Sequence, residues 1–180
     1  MNLNPALIDD FSHPEGRSRL GTSWRLVTDG VMGGISQATM TRSELDGRRA
    51  LCLEGDVSME RQGGFVQVNL ALTSTATPLD ARGFRGLRLV ARGNGEIYHV
   101  HLKTADSVLP WQSYRAAFTT GPNWREIRLP FTDFQPHRLK PEFNPARLTK
   151  LGIVAIGRAF RARVCLAEVG WYREAAASQP

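Results

Sequence analysis

Short runs in which apolar and polar residues alternate fill most of this 180-residue chain. Of all the features of the sequence, these runs most limit the folds that the chain can adopt. In one such run, Leu87, Leu89 and Ala91 would face one side of a strand and arginines the other. Alternation with a period of two residues places one face of a strand against a core and the other face in solvent, as in an antiparallel β-sheet. The strands predicted in this way are 6–11, 24–28, 36–41, 50–54, 65–70, 87–92, 97–103, 114–119, 124–129, 151–156 and 163–172.

Helical signals are few. Asn144 followed by Pro145 is typical of an N-cap residue and the first helical position, and predicts one or two helical turns before Leu151. The last run loses its alternation between Leu166 and Val169, which predicts a β-bulge there. The residues therefore predict an all-β fold: a single-domain antiparallel β-sandwich or jelly roll with one or two short helical turns.

No linker, repeat or change of composition divides the chain, so one domain is expected over residues 6–173. Residues 174–180 are rich in alanine and are expected to form a disordered tail. Asn94-Gly95 is a typical hairpin turn, and it predicts direct pairing of the runs on either side of it.

The net charge of +6, from 23 lysine and arginine residues against 17 aspartate and glutamate residues, permits an acidic partner. The arginines are spread along the whole chain, which argues against a nucleic-acid-binding protein. No segment approaches the run of about 20 apolar residues that a membrane span needs. The first residues have the pattern of neither a secretory nor an organelle-targeting segment, and a cytoplasmic location is expected.

The two cysteines, Cys52 and Cys165, lie far apart in sequence, each in an apolar, strand-like run. A disulfide between them is one alternative, and a pair of reduced, buried thiols is the other. The expected cytoplasmic location favours reduced thiols. Neither cysteine belongs to a Cys-x-x-Cys pair, so the sequence indicates no zinc or redox motif of that kind.

The sequence Asp-Gly-Val-Met-Gly-Gly, directly after the run 24–28, places two apolar side chains between glycines. Its glycines can adopt positive φ in a tight connection, and its aspartate can hydrogen-bond to the nearby backbone. Methionine suits a surface that repacks against a partner. We therefore predict a turn that also presents its apolar tip, Met32 above all, to a partner. The predicted partner-binding residues are Asp29, Gly30, Val31, Met32, Gly33 and Gly34.

A second candidate surface lies on the run 97–103, where His99, His101 and Lys103 share one strand face. Two histidines alone do not make a metal site, because zinc needs a third protein ligand, and no metal or other cofactor is predicted. Aromatic rings near this strand could stack on sugar rings or pack in the core. The residues predicted to form this groove are Tyr98, His99, His101, Trp111 and Tyr114.

The sequence contains no recognisable catalytic motif. There is no Gly-x-Ser-x-Gly elbow, no phosphate-binding loop, no dinucleotide-binding glycine pattern and no His-Glu-x-x-His motif. No catalytic residue is therefore predicted, and the chain is expected not to be an enzyme. Clustered carboxylates at calcium-ligand spacing are also missing, and whether a structural ion binds is left open by the sequence.

Four longer segments follow one another along the chain: WRLVTDGVMGGIS, GGFVQVNL, GLRLVARGNGEIYHVHL and YRAAFTTGPNWREIRLPFTDFQP. Together they resemble the complex I intermediate-associated protein family, an assembly-factor domain first met in mitochondria. The resemblance extends from about Ile8 to Trp171, which is nearly the whole chain.

This resemblance implies a galactose-binding-like jelly roll, in agreement with the strand pattern. It also implies a non-enzymatic, chaperone-like role in assembling the respiratory NADH:ubiquinone oxidoreductase, with protein subunits or assembly intermediates of that complex as partners. The alternative is a carbohydrate-binding jelly-roll module with an aromatic groove. A broad apolar or mixed patch is expected for the first function, and exposed, coplanar aromatic rings for the second.

Overall fold

The computed structural model describes residues 5–174, which form two facing antiparallel β-sheets; residues 175–180 of the predicted tail lie outside the described residues. The strands are β1 (Leu7–Asp9), β2 (Arg25–Thr28), β3 (Gln37–Leu45), β4 (Arg48–Val57), β5 (Phe65–Ala71), β6 (Gly86–Gly93), β7 (Ile97–Thr104), β8 (Ser113–Thr119), β9 (Arg125–Pro130), β10 (Gln135–His137), β11 (Leu148–Ile156) and β12 (Phe160–Tyr172). Short 3-10 turns cover Asp29–Met32, Glu60–Gln62, Phe131–Asp133 and Pro145–Arg147, and the described residues contain no α-helix.

Each sheet has six strands, and strands that are neighbours in sequence often lie in different sheets. The first sheet has the order β3-β4-β12-β6-β9, and β1 also pairs with β12. The second sheet has the order β10-β8-β7-β11-β5-β2. The chain thus passes repeatedly between the sheets, as in a jelly roll, and the predicted fold class is confirmed.

Alternation along the strands sorts side chains between core and surface. On β7, Tyr98, Val100 and Leu102 are fully buried between the sheets, whereas His99 and His101 face outward. The same pattern on the other strands builds one main core of leucine, valine, isoleucine and aromatic side chains. Removal of this apolar area from water holds the two sheets together and leaves their outer faces to polar side chains.

Two local predictions agree with the structure. The register of β12 against β6 shifts between Leu166 and Glu168, which confirms the predicted bulge. The predicted helical segment is a single 3-10 turn, in which Asn144 Oδ1 accepts a hydrogen bond from Ala146 N at 3.0 Å. The sequence does not predict β10, because this strand has three residues and Pro136 is one of them.

The hairpin predicted at Asn94-Gly95 is wrong, since β6 and β7 lie in different sheets. Asn94 instead helps to join the sheets: its Nδ2 donates to Arg161 O at 2.8 Å, and its Oδ1 accepts from the Tyr98 hydroxyl at 2.6 Å. The Tyr98 hydroxyl also accepts a hydrogen bond from Arg163 N at 2.8 Å. The turn therefore serves as a crossing between sheets.

Cys52 and Cys165 form a disulfide, so the expectation of reduced thiols is wrong for this structure. The two residues face each other directly on β4 and β12, with their Cα atoms 4.1 Å apart. Their side chains lie outside the main core and pack with Leu45 and Trp124. The pairing depends on the register of two strands that are distant in sequence, which spacing alone does not reveal.

Candidate functional site

The predicted partner-binding segment forms a 3-10 turn at the end of β2. The Thr28 hydroxyl accepts a hydrogen bond from Gly30 N at 3.2 Å, and Gly33 ends the turn with a φ of 87°. Glycine reaches this left-handed conformation without the steric cost of a Cβ atom. The turn projects Val31 and Met32 outward, with 76% and 59% of their surfaces exposed.

Asp29 is fully buried and ties two separate chain segments together. Its carboxylate accepts hydrogen bonds from the backbone N–H groups of Ser36 at 3.0 Å, Gly64 at 2.6 Å and Phe65 at 3.3 Å, and from the Ser36 hydroxyl. Burial alone would raise the pKa of Asp29, but these donors, led by Ser36, outweigh burial and lower the pKa. The ionised carboxylate thus anchors the turn to the start of β5.

The positions beside this carboxylate leave no room for a side chain and therefore require glycine. A Cβ atom on Gly34 would overlap the Asp29 carboxylate, and one on Gly63 would lie 2.6 Å from Asp29 Oδ2 and 2.7 Å from Ser58 O. Side-chain carbons do not approach other atoms so closely, so a side chain at either position would force its neighbours to move. The two Gly-Gly pairs therefore allow both segments to reach the same aspartate.

The structure divides the predicted partner-binding residues into two groups. Asp29 is wrong as a partner contact, because it has no exposed surface, and its role is to hold the turn. Gly34 is partly buried, because it lies against the Asp29 carboxylate. The exposed members are Gly30, Val31, Met32 and Gly33.

The exposed turn lines a groove of about 790 Å³ on the outer face of the second sheet. Val31, Met32 and Met59 form one wall of this groove, and Pro110 and Trp111, from the β7–β8 connection, form the wall on the other side of the sheet. Met59 and Trp111 are each about half exposed. Loops that are distant in sequence thus present apolar surface to the same space.

Outward-facing side chains of the central strands form the floor of the groove. His101 on β7 pairs with Arg115 on β8 and with Gly152 on β11. Gln67 and Asn69 on β5 continue the floor toward the turn. Gly152 has no side chain, and the Gln67 side chain covers it: a Cβ atom on Gly152 would lie 2.9 Å from Gln67 Oε1.

The groove is cationic. Lys103, Arg115, Arg138 and Lys150 line it together with His137, and no carboxylate-bearing residue is among its lining in the described chain. Burial lowers the pKa of Arg115, as does nearby Arg138, and burial and Lys150 lower the pKa of Lys103. Like charges held together in a partly desolvated groove repel one another and attract anions.

His101 is strongly perturbed by this setting. Burial, followed by repulsion from Arg115, lowers its pKa to about 2, and His99, His137 and Lys103 act in the same direction. Its Nε2 is buried and has no hydrogen-bond partner among the described residues. The imidazole is therefore neutral at physiological pH and adds no charge to the groove.

This environment predicts an acid sensitivity that His101 causes. The unfolded chain takes up a proton at a pKa of about 6.5, whereas folded His101 does not until about pH 2, so its contribution lowers stability as the pH falls below about 6.5. We expect His101→Gln to lose less free energy of unfolding than the wild type between about pH 7.5 and about pH 5. Urea unfolding at both pH values measures this, and equal losses in the two proteins would contradict it.

The structure separates the residues of the second predicted surface. Tyr98 and Tyr114 are wrong as groove residues, because both are fully buried in the core, where the Tyr114 hydroxyl donates to Pro141 O at 2.7 Å. His101 and Trp111 line the groove. His99 lies on the same strand face but outside the groove lining.

No group of three or more His, Cys, Asp or Glu side chains within residues 5–174 is placed to hold a metal ion. The two rings with His-x-His spacing, His99 and His101, instead meet edge to face with centroids 6.3 Å apart. In the same part of the chain, no helix is long and apolar enough to cross a membrane.

Sequence reasoning missed the cations of the groove. Arg115 and Lys103 alternate with buried residues on interior strands, a signal for an exposed sheet face, but nothing in the sequence shows that they are neighbours. It also missed Met59, which precedes the Gly63-Gly64 pair that Asp29 requires. That glycine pair belongs to one of the four segments that carry the family resemblance.

Fold and groove together define the class: a jelly-roll sandwich with a ligand-sized groove on one sheet. Similar structures include the family 11 carbohydrate-binding module of the cellulase Lic26A-Cel5E of Clostridium thermocellum, with a TM-score of 0.72, 9% identity and coverage of 96% of both chains. A crystal structure of a family 30 carbohydrate-binding module has a TM-score of 0.57 and 16% identity, with 82% of this chain and 86% of that one covered. At these identities, the likeness is one of fold.

The sequence pattern of complex I intermediate-associated protein 30 (CIA30) matches residues 10–164. The chain therefore belongs to the complex I intermediate-associated protein 30 family. A search of the curated proteins gives no match.

Proposed function

We propose that this protein is a non-enzymatic binding module that holds a subunit or an assembly intermediate of the respiratory NADH:ubiquinone oxidoreductase. Membership of the complex I intermediate-associated protein 30 family supports the choice of partner. The observation that carries the proposal is the turn with exposed Val31 and Met32, which buried Asp29 fixes at the edge of a groove. A fixed apolar tip beside an open groove is suited to protein recognition.

In this mechanism, the apolar walls cover surface on the incompletely assembled partner. Such surface aggregates when it meets water, so a module that covers it until the next subunit arrives acts as a chaperone. Asp29 contributes by keeping the turn in one conformation, which reduces the entropy lost on binding.

The test is a mild cross-linking pull-down of the tagged protein from its own cells, read by mass spectrometry. We expect the wild type to recover subunits of NADH:ubiquinone oxidoreductase and Met32→Asp to recover about tenfold less, because a charge replaces an apolar contact. Ile97→Asp is the matched control, since Ile97 is 49% exposed but lies outside the groove. Unchanged melting of both variants shows that they remain folded.

Two results would count against the proposal: no subunit recovered from a cell that makes the complex, or equal recovery by Met32→Asp and Ile97→Asp.

The expected cytoplasmic location is tested in the same cells by alkylating free thiols before lysis. Free Cys52 and Cys165 would support the cytoplasm, whereas a disulfide in the cell would indicate an oxidising compartment.

Carbohydrate binding is the second candidate function. The fold likeness to carbohydrate-binding modules and the exposed ring of Trp111 in the groove favour it. A structure similar to this chain, with a TM-score of 0.68, 10% identity and coverage of 93% of this chain and 95% of that one, is a family 11 module in complex with a β-1,3-1,4-mixed-linked tetrasaccharide. Here Phe65 is the other large aromatic residue in the groove lining, and it is only partly exposed. The groove thus supports protein binding better than stacking on a row of sugar rings.

A further inference from the structure

Positive charge in the groove is left without a carboxylate partner. Some arginines elsewhere form ion pairs, as in Arg88–Glu126 at 2.7 Å and Arg147–Asp106 at 2.8 Å. Among the described residues, no ion pair includes Lys103, Arg115, Arg138 or Lys150. Four cations without an ion pair in the described chain therefore line one concave part of the surface.

The position of Arg115 makes this charge available to a ligand. Its guanidinium is half-buried, and the hydrogen bond that it donates is the one from Nε to the Ser113 hydroxyl at 2.9 Å. The planar guanidinium has further N–H donors that suit a carboxylate in two-point contact. Lys103 is held by Pro110 O at 2.7 Å, which places its ammonium beside the wall that carries Trp111.

We propose that the groove binds an acidic, apolar peptide segment of the partner protein, with a carboxylate on Arg115 and apolar side chains against Met32 and Trp111. The identity of that partner as a respiratory subunit rests on the proposed function above. The charge of the segment follows from complementarity to the cations on the floor. Its apolar residues follow from the walls of valine, methionine, proline and tryptophan.

A peptide explains the lining better than a sugar does. An uncharged glucan would leave the cations of the floor unpaired and would lack a stacking surface beyond Trp111 and partly exposed Phe65. An acidic sugar would satisfy the cations but has no apolar side chain to cover Val31 and Met32, which are among the most exposed large hydrophobic residues of the described chain.

The experiment is selection of binders from a library of displayed, short random peptides on the immobilised full chain, followed by calorimetric titration of the best peptides. We expect the selected peptides to be enriched in both acidic and large apolar residues. We expect Arg115→Gln to weaken their binding about tenfold or more, and Met32→Asp to weaken it as well. Their affinity should fall as salt is added.

Arg163→Gln is the matched control, because Arg163 is an exposed arginine in no ion pair and lies on β12 of the other sheet. It should bind the selected peptides within about twofold of the wild type. If Arg115→Gln unfolds, exposed Arg138→Gln and Lys150→Gln, which also line the groove, serve in its place.

Several results would overturn the proposal: recovery of no peptide above background, selection of neutral or basic peptides, or equal binding by Arg115→Gln and Arg163→Gln. Groove binding of the β-1,3-1,4-linked tetrasaccharide or of an oligogalacturonate, seen by NMR in place of peptide binding, would also overturn it. Failure of this proposal can be distinguished from failure of the proposed function. Acidic peptides that bind without any recovery of respiratory subunits refute the partner, and recovery of subunits without acidic selectivity refutes the segment.

Discussion

Asp29→Ala is expected to lower the free energy of unfolding by about 3 kcal/mol or more, because it leaves buried donors without an acceptor. The wild-type carboxylate accepts hydrogen bonds from Ser36, Gly64 and Phe65 in a site with no exposed surface. Urea unfolding of both proteins at neutral pH measures the difference.

Asp56→Ala is the matched control, because Asp56 pairs with Arg161 at the surface and its side chain is 72% exposed. An exposed ion pair contributes less than about 1 kcal/mol, so this variant should unfold close to the wild type. Equal stabilities of Asp29→Ala and Asp56→Ala would contradict the structural role of Asp29.

The pH dependence of the Asp29 contribution has a definite sign. The pKa of Asp29 in the folded protein lies below its usual value of about 3.9, so its stabilisation is present above about pH 3.9 and is lost as the pH falls through the lower, folded value. Asp29→Ala should therefore lose less stability than the wild type on acidification from about pH 5 to about pH 3.

The same variant should bind the acidic, apolar peptide more weakly even under conditions where it remains folded, because the turn no longer holds Met32 in place.

Removal of the disulfide is expected to cost about 2–5 kcal/mol, because Cys52 and Cys165 close a loop over a sequence separation of 113 residues. Without the bond, the unfolded chain gains conformational entropy, and β4 and β12 lose a covalent link at the centre of the first sheet. The double variant Cys52→Ala/Cys165→Ala should unfold at lower urea concentration than the oxidised wild type.

Reductant separates the disulfide from other effects of the substitutions. Dithiothreitol should shift the wild-type midpoint toward that of the double variant and leave the double variant unchanged. The disulfide and the groove lie in different sheets, so peptide binding at a temperature where both proteins are folded should be equal. A wild-type midpoint that does not respond to reductant would show that the bond does not stabilise the fold.

Much of the fold follows from local patterns in the sequence. Alternation on β7 predicts which side chains are buried, and loss of alternation predicts the bulge near Leu166. Asn144 before Pro145 predicts a helical turn, since an N-cap and a fixed φ act within a few residues. These predictions succeed because the forces that decide them act over a few neighbouring residues.

The sequence predicts the candidate site less completely than the fold, because the residues of the site come from separate parts of the chain. The sequence singled out the turn with Met32 and the strand with His101 as two surfaces, and the fold places them around one groove. It also assigned Tyr98 to the surface, although the period of two puts that ring on the buried side of β7. An aromatic ring near a candidate groove is therefore weaker evidence of exposure than its position in the alternating pattern.

The sequence by itself determined the class of the protein: an all-β sandwich whose ordered segments resemble one family, with an exposed Val-Met tip between glycines. Only the tertiary structure decided that Asp29 holds the turn, that Cys52 meets Cys165, and that Arg115 lies beside His101 without a carboxylate. The physical reason is that periodicity and turn chemistry act between neighbours in sequence. Hydrogen bonding of a buried carboxylate, disulfide pairing and charge complementarity depend on strand order and register, which form when the sheets pack.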